Sequence, residues 1–325
     1  MRVHAIQNGF GRFGLHMLAY YLDRAEISNF TLTRINDEKL SISEMIEIVK
    51  SDRYVRLFDN YEIQTKDSTL TFIKGTNSVC IEFHNLPLNE FIEFGDGIFL
   101  ECSGRYTEVQ RFPASPNIEK VFISATSVSA DITAIVGFNE GDITKDHKFI
   151  SYGSCTVNAF LPLASRIHSQ FGVLEADVNV IHNLAEYQLA STPEIFERRS
   201  CTLSIMGPRL LDFMDESNFN VNYTVVPVTG VSRIDFRFAL KKEFELATVI
   251  EAIEGIRGGS GNDLYKILEF DPGPSETLLS NYSAEFILEH SRRAGNNLYL
   301  SAYFDTENSV NRYYDLINLE MERSK

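Results

Sequence analysis

The stretch "VHAIQNGFGRFGLHMLAYYLDR" (residues 3–24) decides the fold. "VHAIQ" (3–7) reads as a buried strand, and it runs straight into Gly9-Phe10-Gly11-Arg12-Phe13-Gly14, a G-x-G-x-x-G turn. Behind the turn Leu15, Leu18 and Leu22 recur on one helical face, with Met17 and Tyr21 beside it. A second strand, "FTLTRIND" (30–37), follows and ends on Asp37. Strand, glycine turn, helix and strand within about forty residues make a βαβ unit. Glycines in such a turn let the backbone approach a pyrophosphate at the positive end of the helix. A carboxylate at Asp37 accepts hydrogen bonds from ribose hydroxyls and repels a 2′-phosphate, which favours NAD over NADP. The alternative is a tight strand-to-helix turn with no ligand, and the order of the elements favours the dinucleotide.

Working outward, "SISEMIEIVKS" opens with a Ser-x-x-Glu capping box at Ser41 and Glu44. Residues 54–85 alternate apolar and polar residues, as appended antiparallel hairpins do. "GIFLEC" (97–102) and "KVFISA" (120–125) are short apolar runs suited to central parallel strands, with a short helix expected over 105–117. From about residue 150 a helix at 155–171 leads into a strand, "VLEADVNVIHN" (173–183), and then a polar, irregular stretch at 184–208. "VNYTVVPV", "SRIDFRFAL" and "NLYLSAYFD" read as strands of a larger sheet. Val310, Tyr313, Tyr314, Ile317 and Met321 line one face of a terminal amphipathic helix. The expected class is α/β, with a Rossmann-type dinucleotide-binding domain plus an α+β catalytic domain holding a large mixed or antiparallel sheet. The expected boundaries are 1–153, completed by a C-terminal helix at 307–325, and 154–306.

Composition narrows the function classes. Hydrophobic residues at 44% and charged residues at 23% suit a globular protein, and a net charge of −15 disfavours nucleic acid or an anionic membrane as partner. Cys80, Cys102, Cys155 and Cys201 contain no C-x-x-C pair and the histidines no H-E-x-x-H cluster, so neither disulfide framework nor metal is expected. "MRVHAIQNGF" reads as a strand and turn, not a signal peptide, and a cytoplasmic, reducing compartment is expected. Glu243, Glu245, Glu251 and Glu254 read as a solvated face.

"SYGSCTVNAF" (151–160) places Cys155 where a loop meets a helix. Cysteine is among the most buried residue types, so a packed thiol is one reading. The other is a nucleophile: the helix N-terminus should lower the thiol pKa, and the first-turn N–H groups form an oxyanion site. His182 ends the strand that follows, and a strand returning beside the helix brings that end back towards Cys155. A satisfied histidine at a sheet edge is the alternative for His182.

"NGFGRFG", "ECSG", "ISA", "SCTVN…PLA" and "VIHN" occur in the order and near the spacing of the glyceraldehyde-3-phosphate dehydrogenase family, which this chain resembles. "ERRS" and "YFDTENSVNRYYDL" extend the resemblance over the whole chain, and erythrose-4-phosphate dehydrogenases share these features. The resemblance implies a two-domain, homotetrameric, NAD-dependent aldehyde dehydrogenase with Cys155 as nucleophile and His182 as its base. The thiolate adds to an aldehyde, hydride leaves for the nicotinamide, and inorganic phosphate releases the thioester as an acyl phosphate. It also implies cofactor contacts at Gly9, Phe10, Gly11, Arg12, Phe13, Gly14, Asp37, Ser103, Ser124 and Thr306, and substrate or phosphate contacts at Ser154, Thr156 and Arg199. The stretch 184–208 matches a loop that packs near a neighbouring subunit's cofactor. The departures gather at the phosphate sites. Ala185 stands for a threonine, Val225 for an arginine, Thr306 for an asparagine, and a Thr-rich loop after "SIM" is missing. Arg209 and Arg233 either rebuild a phosphate pocket or lie at the surface. Three readings follow: the dehydrogenase with an altered pocket or a different, unphosphorylated aldehyde; an enzyme that hydrolyses its thioester; and a non-catalytic NAD-binding scaffold or sensor.

Overall fold

The computed structural model describes residues 2–52, 54–184, 189, 195–259 and 261–325. The chain forms two compact units. The first comprises Met1–Ala134, Asp142–Gly153 and Tyr313–Lys325; the second comprises Ile135–Gly141 and Ser154–Arg312.

Among the described residues the first unit holds one nine-stranded sheet. Its order is Glu62–Lys66, Thr69–Lys74, Asn77–His84, Phe30–Asn36, Val3–Asn8, Gly97–Glu101, Ile118–Ile123, Phe149–Ser151, Ile132–Thr133. Val3–Asn8 lies between Phe30–Asn36 and Gly97–Glu101, parallel to both. The strand order reverses there, and in such sheets the carboxyl ends at the reversal open a crevice for a ligand. Gly97–Glu101 is buried at every position, as a central strand covered on both faces must be. The three hairpin strands pair antiparallel with one another, and the last joins Phe30–Asn36 in parallel. The capping box is present: Glu44 N–H donates to Ser41 Oγ, and Ser41 N–H donates to Glu44 Oε2 at 2.7 Å. The helix expected over 105–117 shrinks to one 3-10 turn, Val109–Arg111. Pro113 and Pro116 remove two amide donors and disfavour helical backbone at the residues before them.

The terminal helix, Thr306–Arg323, begins in the second unit, and from Tyr313 onward it belongs to the first. Tyr313 Oη donates to the Phe122 carbonyl at 2.7 Å, and Lys120 meets Glu320 at 3.1 Å, both contacts within the first unit.

In the second unit, Val173–His182 runs parallel to Phe219–Val225 and antiparallel to Ser232–Leu240, giving the mixed sheet expected. Asn297–Phe304 continues it on the far side of Ser232–Leu240. Along Ser232–Leu240 the inner residues Ile234, Phe236 and Phe238 alternate with half-exposed Arg233, Asp235 and Arg237. Helix Cys155–Phe171 lies on the inner face, where the Phe160 ring stacks 5.1, 6.0 and 5.9 Å from Phe219, Phe236 and Phe238. Pro162 interrupts this helix and cannot donate to the Asn158 carbonyl. Tyr265 Oη donates instead, 3.4 Å to Asn158 O and 3.0 Å to Ala159 O. The stretch expected to be irregular at 184–208 contains a helix, Leu203–Leu210. Leu203, Met206 and Gly207 give it a buried face at helical spacing.

Phe160 therefore fixes the helix that begins with Cys155. Phe160→Ala should cost about 3–5 kcal/mol of second-unit stability. Urea unfolding followed by tyrosine fluorescence checks this, and a loss below about 1 kcal/mol would show that the stack does not anchor the helix.

Candidate active site

The glycine turn of the first unit is shaped by close backbone approach. Gly9 has φ +100°, and a Cβ there would sit 2.3 Å from Ser103 N; at Gly14 it would sit 2.1 Å from Gly9 O. Gly11, by contrast, has nothing within 4 Å of that position, so open space lies before it at the N-cap of helix Arg12–Arg24. Asp37 Oδ2 accepts from Phe10 N–H at 2.8 Å, and Oδ1 accepts from Lys39 N–H at 2.8 Å and Leu40 N–H at 3.1 Å. A carboxylate has about four acceptor positions, so capacity is left for a ribose hydroxyl. Ser103 and Ser124 follow the neighbouring strand ends; Ser103 N–H donates to Glu101 Oε1 and Ser124 N–H to Glu101 O. Arg12 opens the helix and is partly exposed. Phe10 is wholly buried with its ring edge on Phe83, and Phe13 packs on Tyr152 and Tyr313. The Phe10 ring is core and the Phe13 ring is half-buried against its two tyrosines, which leaves the backbone of the turn to face a ligand. These residues fit a dinucleotide: an open glycine before a helix N-terminus, with a carboxylate at the next strand's end.

Two residues of this cradle escape sequence reasoning. Gln7, wholly buried, donates through Nε2 to Gly9 O at 3.0 Å and Gly14 O at 3.1 Å, tying the two ends of the turn together. The available signal was an uncharged polar residue in an apolar strand just before the first glycine. Glu101 lies beneath the turn and accepts from Asn8 Nδ2 at 3.0 Å. Burial pushes its carboxyl up to about 7, against the hydrogen bonds from Asn8 and Ser103.

In the second unit Ser154 caps helix Cys155–Phe171, its Oγ accepting from Val157 N–H. Cys155 is thus the first helical residue. Its Sγ lies 3.6 Å from His182 Nε2. His182 Nδ1 lies 2.8 Å from the Asn183 carbonyl oxygen, which can only accept, so Nδ1 carries the proton. In the neutral ring Nε2 is then a lone pair facing the thiol. Asn183 is held in turn: its N–H donates to Ser232 Oγ at 3.1 Å, Ser232 Oγ donates back to Asn183 Oδ1 at 3.2 Å, and Nδ2 donates to Gly230 O. The Tyr223 and Phe304 rings flank the imidazole at 5.5 and 5.8 Å. Thr306 Oγ1 approaches Sγ at 4.0 Å, and Asp305 precedes it.

The expected lowering of the thiol pKa does not occur. Burial pushes Cys155 up to about 12, the Asp305 carboxylate and Cys201 add to this, and bonds from Thr306 and the Thr156 N–H oppose it. Desolvation, the largest cause, disfavours the thiolate more than the Thr306 and Thr156 bonds favour it.

Ser154 Oγ lies 3.1 Å from Thr156 Oγ1 and 2.9 Å from Thr202 Oγ1, so three hydroxyls cluster beside Cys155. Thr156 Oγ1 also touches Cys201 Sγ at 3.6 Å. Arg199 is ion-paired with Glu197, Nη2 to Oε2 2.5 Å. Val225 pairs with His182 in parallel register, so both project from the same sheet face. Arg233 pairs with Ile181, on the opposite face from His182, and donates to Ser301 Oγ at 3.0 Å. Arg209 is exposed in the last turn of Leu203–Leu210. Ala185 lies outside the described residues. Among the described residues no helix is long and apolar enough to cross a membrane, and no group of His, Cys, Asp and Glu could hold a metal ion.

The first unit is thus a Rossmann-type sheet with an open glycine cradle, and the second an α+β unit with a cysteine–histidine pair, which makes this an α/β protein. Residues 154–299 match the family described as "Glyceraldehyde 3-phosphate dehydrogenase, C-terminal domain". The cytosolic glyceraldehyde-3-phosphate dehydrogenase of Craterostigma plantagineum is 30% identical over 184 residues, 56% of this chain and 53% of that protein. The matched stretch thus spans about half the length of that relative. Glyceraldehyde-3-phosphate dehydrogenase 2 of Trichormus variabilis is 25% identical over 97% of this chain and 98% of its own length. The Xanthobacter flavus enzyme is 24% identical over 94% and 95%. Residues 154–299 are thus similar to the C-terminal domain of glyceraldehyde-3-phosphate dehydrogenases, and nearly the whole chain is similar to full-length proteins of that name at 24–25% identity.

With burial pushing the thiol up, alkylation of Cys155 by iodoacetamide should keep rising with pH from 7 to 10. Peptide mass mapping at fixed times checks this. A plateau by about pH 8 would mean that the thiolate is already formed there.

Proposed function

We propose that the chain is an NAD-dependent aldehyde dehydrogenase that carries its substrate through a thioester on Cys155. The observation that supports this best is the thiol 3.6 Å from an imidazole nitrogen whose ring partner is committed to the Asn183 carbonyl. As Sγ adds to the aldehyde carbon, Nε2 of His182 takes the thiol proton, so no standing thiolate is needed. The carbonyl oxygen gains negative charge beside the first-turn N–H groups of helix Cys155–Phe171 and takes the thiol proton back from His182 Nε2, giving a hemithioacetal and a base that is free again. His182 Nε2 then takes the hydroxyl proton as the hydride departs, leaving a thioester on Cys155. NAD, when bound, supplies the hydride acceptor. Gly9, Gly11, Gly14, Asp37, Ser103 and Ser124 would hold it, with Phe10, Arg12 and Phe13 contributing from the same turn and Thr306 from beside the thiol. Ser154, Thr156 and Arg199 would contact the substrate. A homotetramer and a cytoplasmic location belong to the same proposal, supported by the resemblance and by relatives named cytosolic.

A second reading, a dinucleotide-binding scaffold, draws on the raised thiol and the adjacent Asp305 carboxylate. The two readings separate on mixing stoichiometric protein with NAD and an aldehyde, phosphate omitted, while intact mass and 340 nm absorbance are followed. The dehydrogenase reading predicts an acyl adduct on Cys155 with one NADH per adduct, absent in Cys155→Ser and slowed about 10²–10⁴-fold in His182→Asn. No adduct from glyceraldehyde or glyceraldehyde 3-phosphate, in protein shown to bind NAD, favours the scaffold.

A further inference from the structure

We propose that the aldehyde taken by Cys155 is an uncharged, hydroxyl-bearing one without a phosphate group; this rests on the dehydrogenase reading above. A phosphate dianion is held by charge-assisted bonds from cations, and among the described residues the walls around Cys155 and His182 are built otherwise. Beside His182 on its own sheet face stands Val225, 4% exposed, and next along that face comes Tyr223. Phe304 closes the other side of the imidazole.

The arginine on this side, Arg199, already has an anion. Its Nη2 lies 2.5 Å from Glu197 Oε2, and Glu197 sits directly across the ladder from Val225. Arg199 N–H also donates to the Tyr223 carbonyl at 3.2 Å, which fixes this segment against the wall of the site. Both side chains are exposed, so the pair's strength is modest. Its consequence is charge: a phosphate arriving at Arg199 meets Glu197 as well. Close to the sulfur, the leading charged influence is the Asp305 carboxylate, which also opposes an anion. The chain as a whole, at −15, adds no attraction.

What the site does offer is hydroxyls. Ser154, Thr156 and Thr202 form a chain with contacts of 3.1 and 2.9 Å immediately beside Cys155. Each hydroxyl can donate and accept, which suits a substrate hydroxyl that must do both. Hydroxyls alone would serve either substrate, and the charges decide between them.

The test compares D-glyceraldehyde with glyceraldehyde 3-phosphate in single-turnover acylation of the full chain with NAD, read by the mass of acyl-Cys155 and by NADH. The proposal expects the unphosphorylated aldehyde to acylate at least about tenfold more efficiently. It also expects Val225→Arg combined with Glu197→Gln to shift the ratio towards the phosphorylated one by about 10²-fold. Efficient acylation by glyceraldehyde 3-phosphate over glyceraldehyde in the unaltered protein overturns the proposal while leaving the dehydrogenase reading intact. No acylation by either, in protein that binds NAD, overturns both.

Discussion

The chemistry of the second unit depends on where one proton sits. A neutral imidazole has one donor and one acceptor, and the Asn183 carbonyl, 2.8 Å from Nδ1 of His182, takes the donor. The acceptor is thereby aimed at Cys155. In the proposed reaction the raised thiol pKa and the nearby base are complementary: burial favours the neutral sulfur, and the base would remove its proton as a carbon–sulfur bond forms. A helix N-terminus alone would have to overcome both burial and the Asp305 carboxylate.

That geometry is imposed by a sheet register. His182 and Asn183 end one strand, Val225 lies beside His182 on the parallel neighbour, and Ser232 opens the antiparallel neighbour that holds Asn183. Side chains alternate along each strand, so a slip of one residue would turn His182 away from the thiol. Phe160, stacked on Phe219, Phe236 and Phe238, fixes the helix against this same face.

Features carried by local spacing were legible in the sequence. Gly9 is required by the facing backbone at Ser103 and Gly14 by the carbonyl of Gly9, and the alternation of "SRIDFRFAL" announces its strand. The Cys155 helix and the His182 strand end emerged from periodicity alone. Features carried by contacts between distant residues were not legible. The Asn183–Ser232–Gly230 brace, the Glu197 partner of Arg199 and the two carbonyls bridged by Gln7 have no signature at fixed spacing. The direction of the thiol shift was misjudged because a helix end is visible in sequence and desolvation is not. The short helix expected at 105–117 failed on two prolines that were in plain view.

The tautomer of His182 is the most direct test. Long-range ¹H–¹⁵N correlation spectra of uniformly labelled protein distinguish protonated from unprotonated ring nitrogens, and His182→Asn identifies the signal among the seven histidines. The account predicts a neutral ring with the proton on Nδ1 and an unprotonated Nε2 at pH 7.5. A proton on Nε2 with a bare Nδ1 would leave no base facing Cys155, and would contradict it.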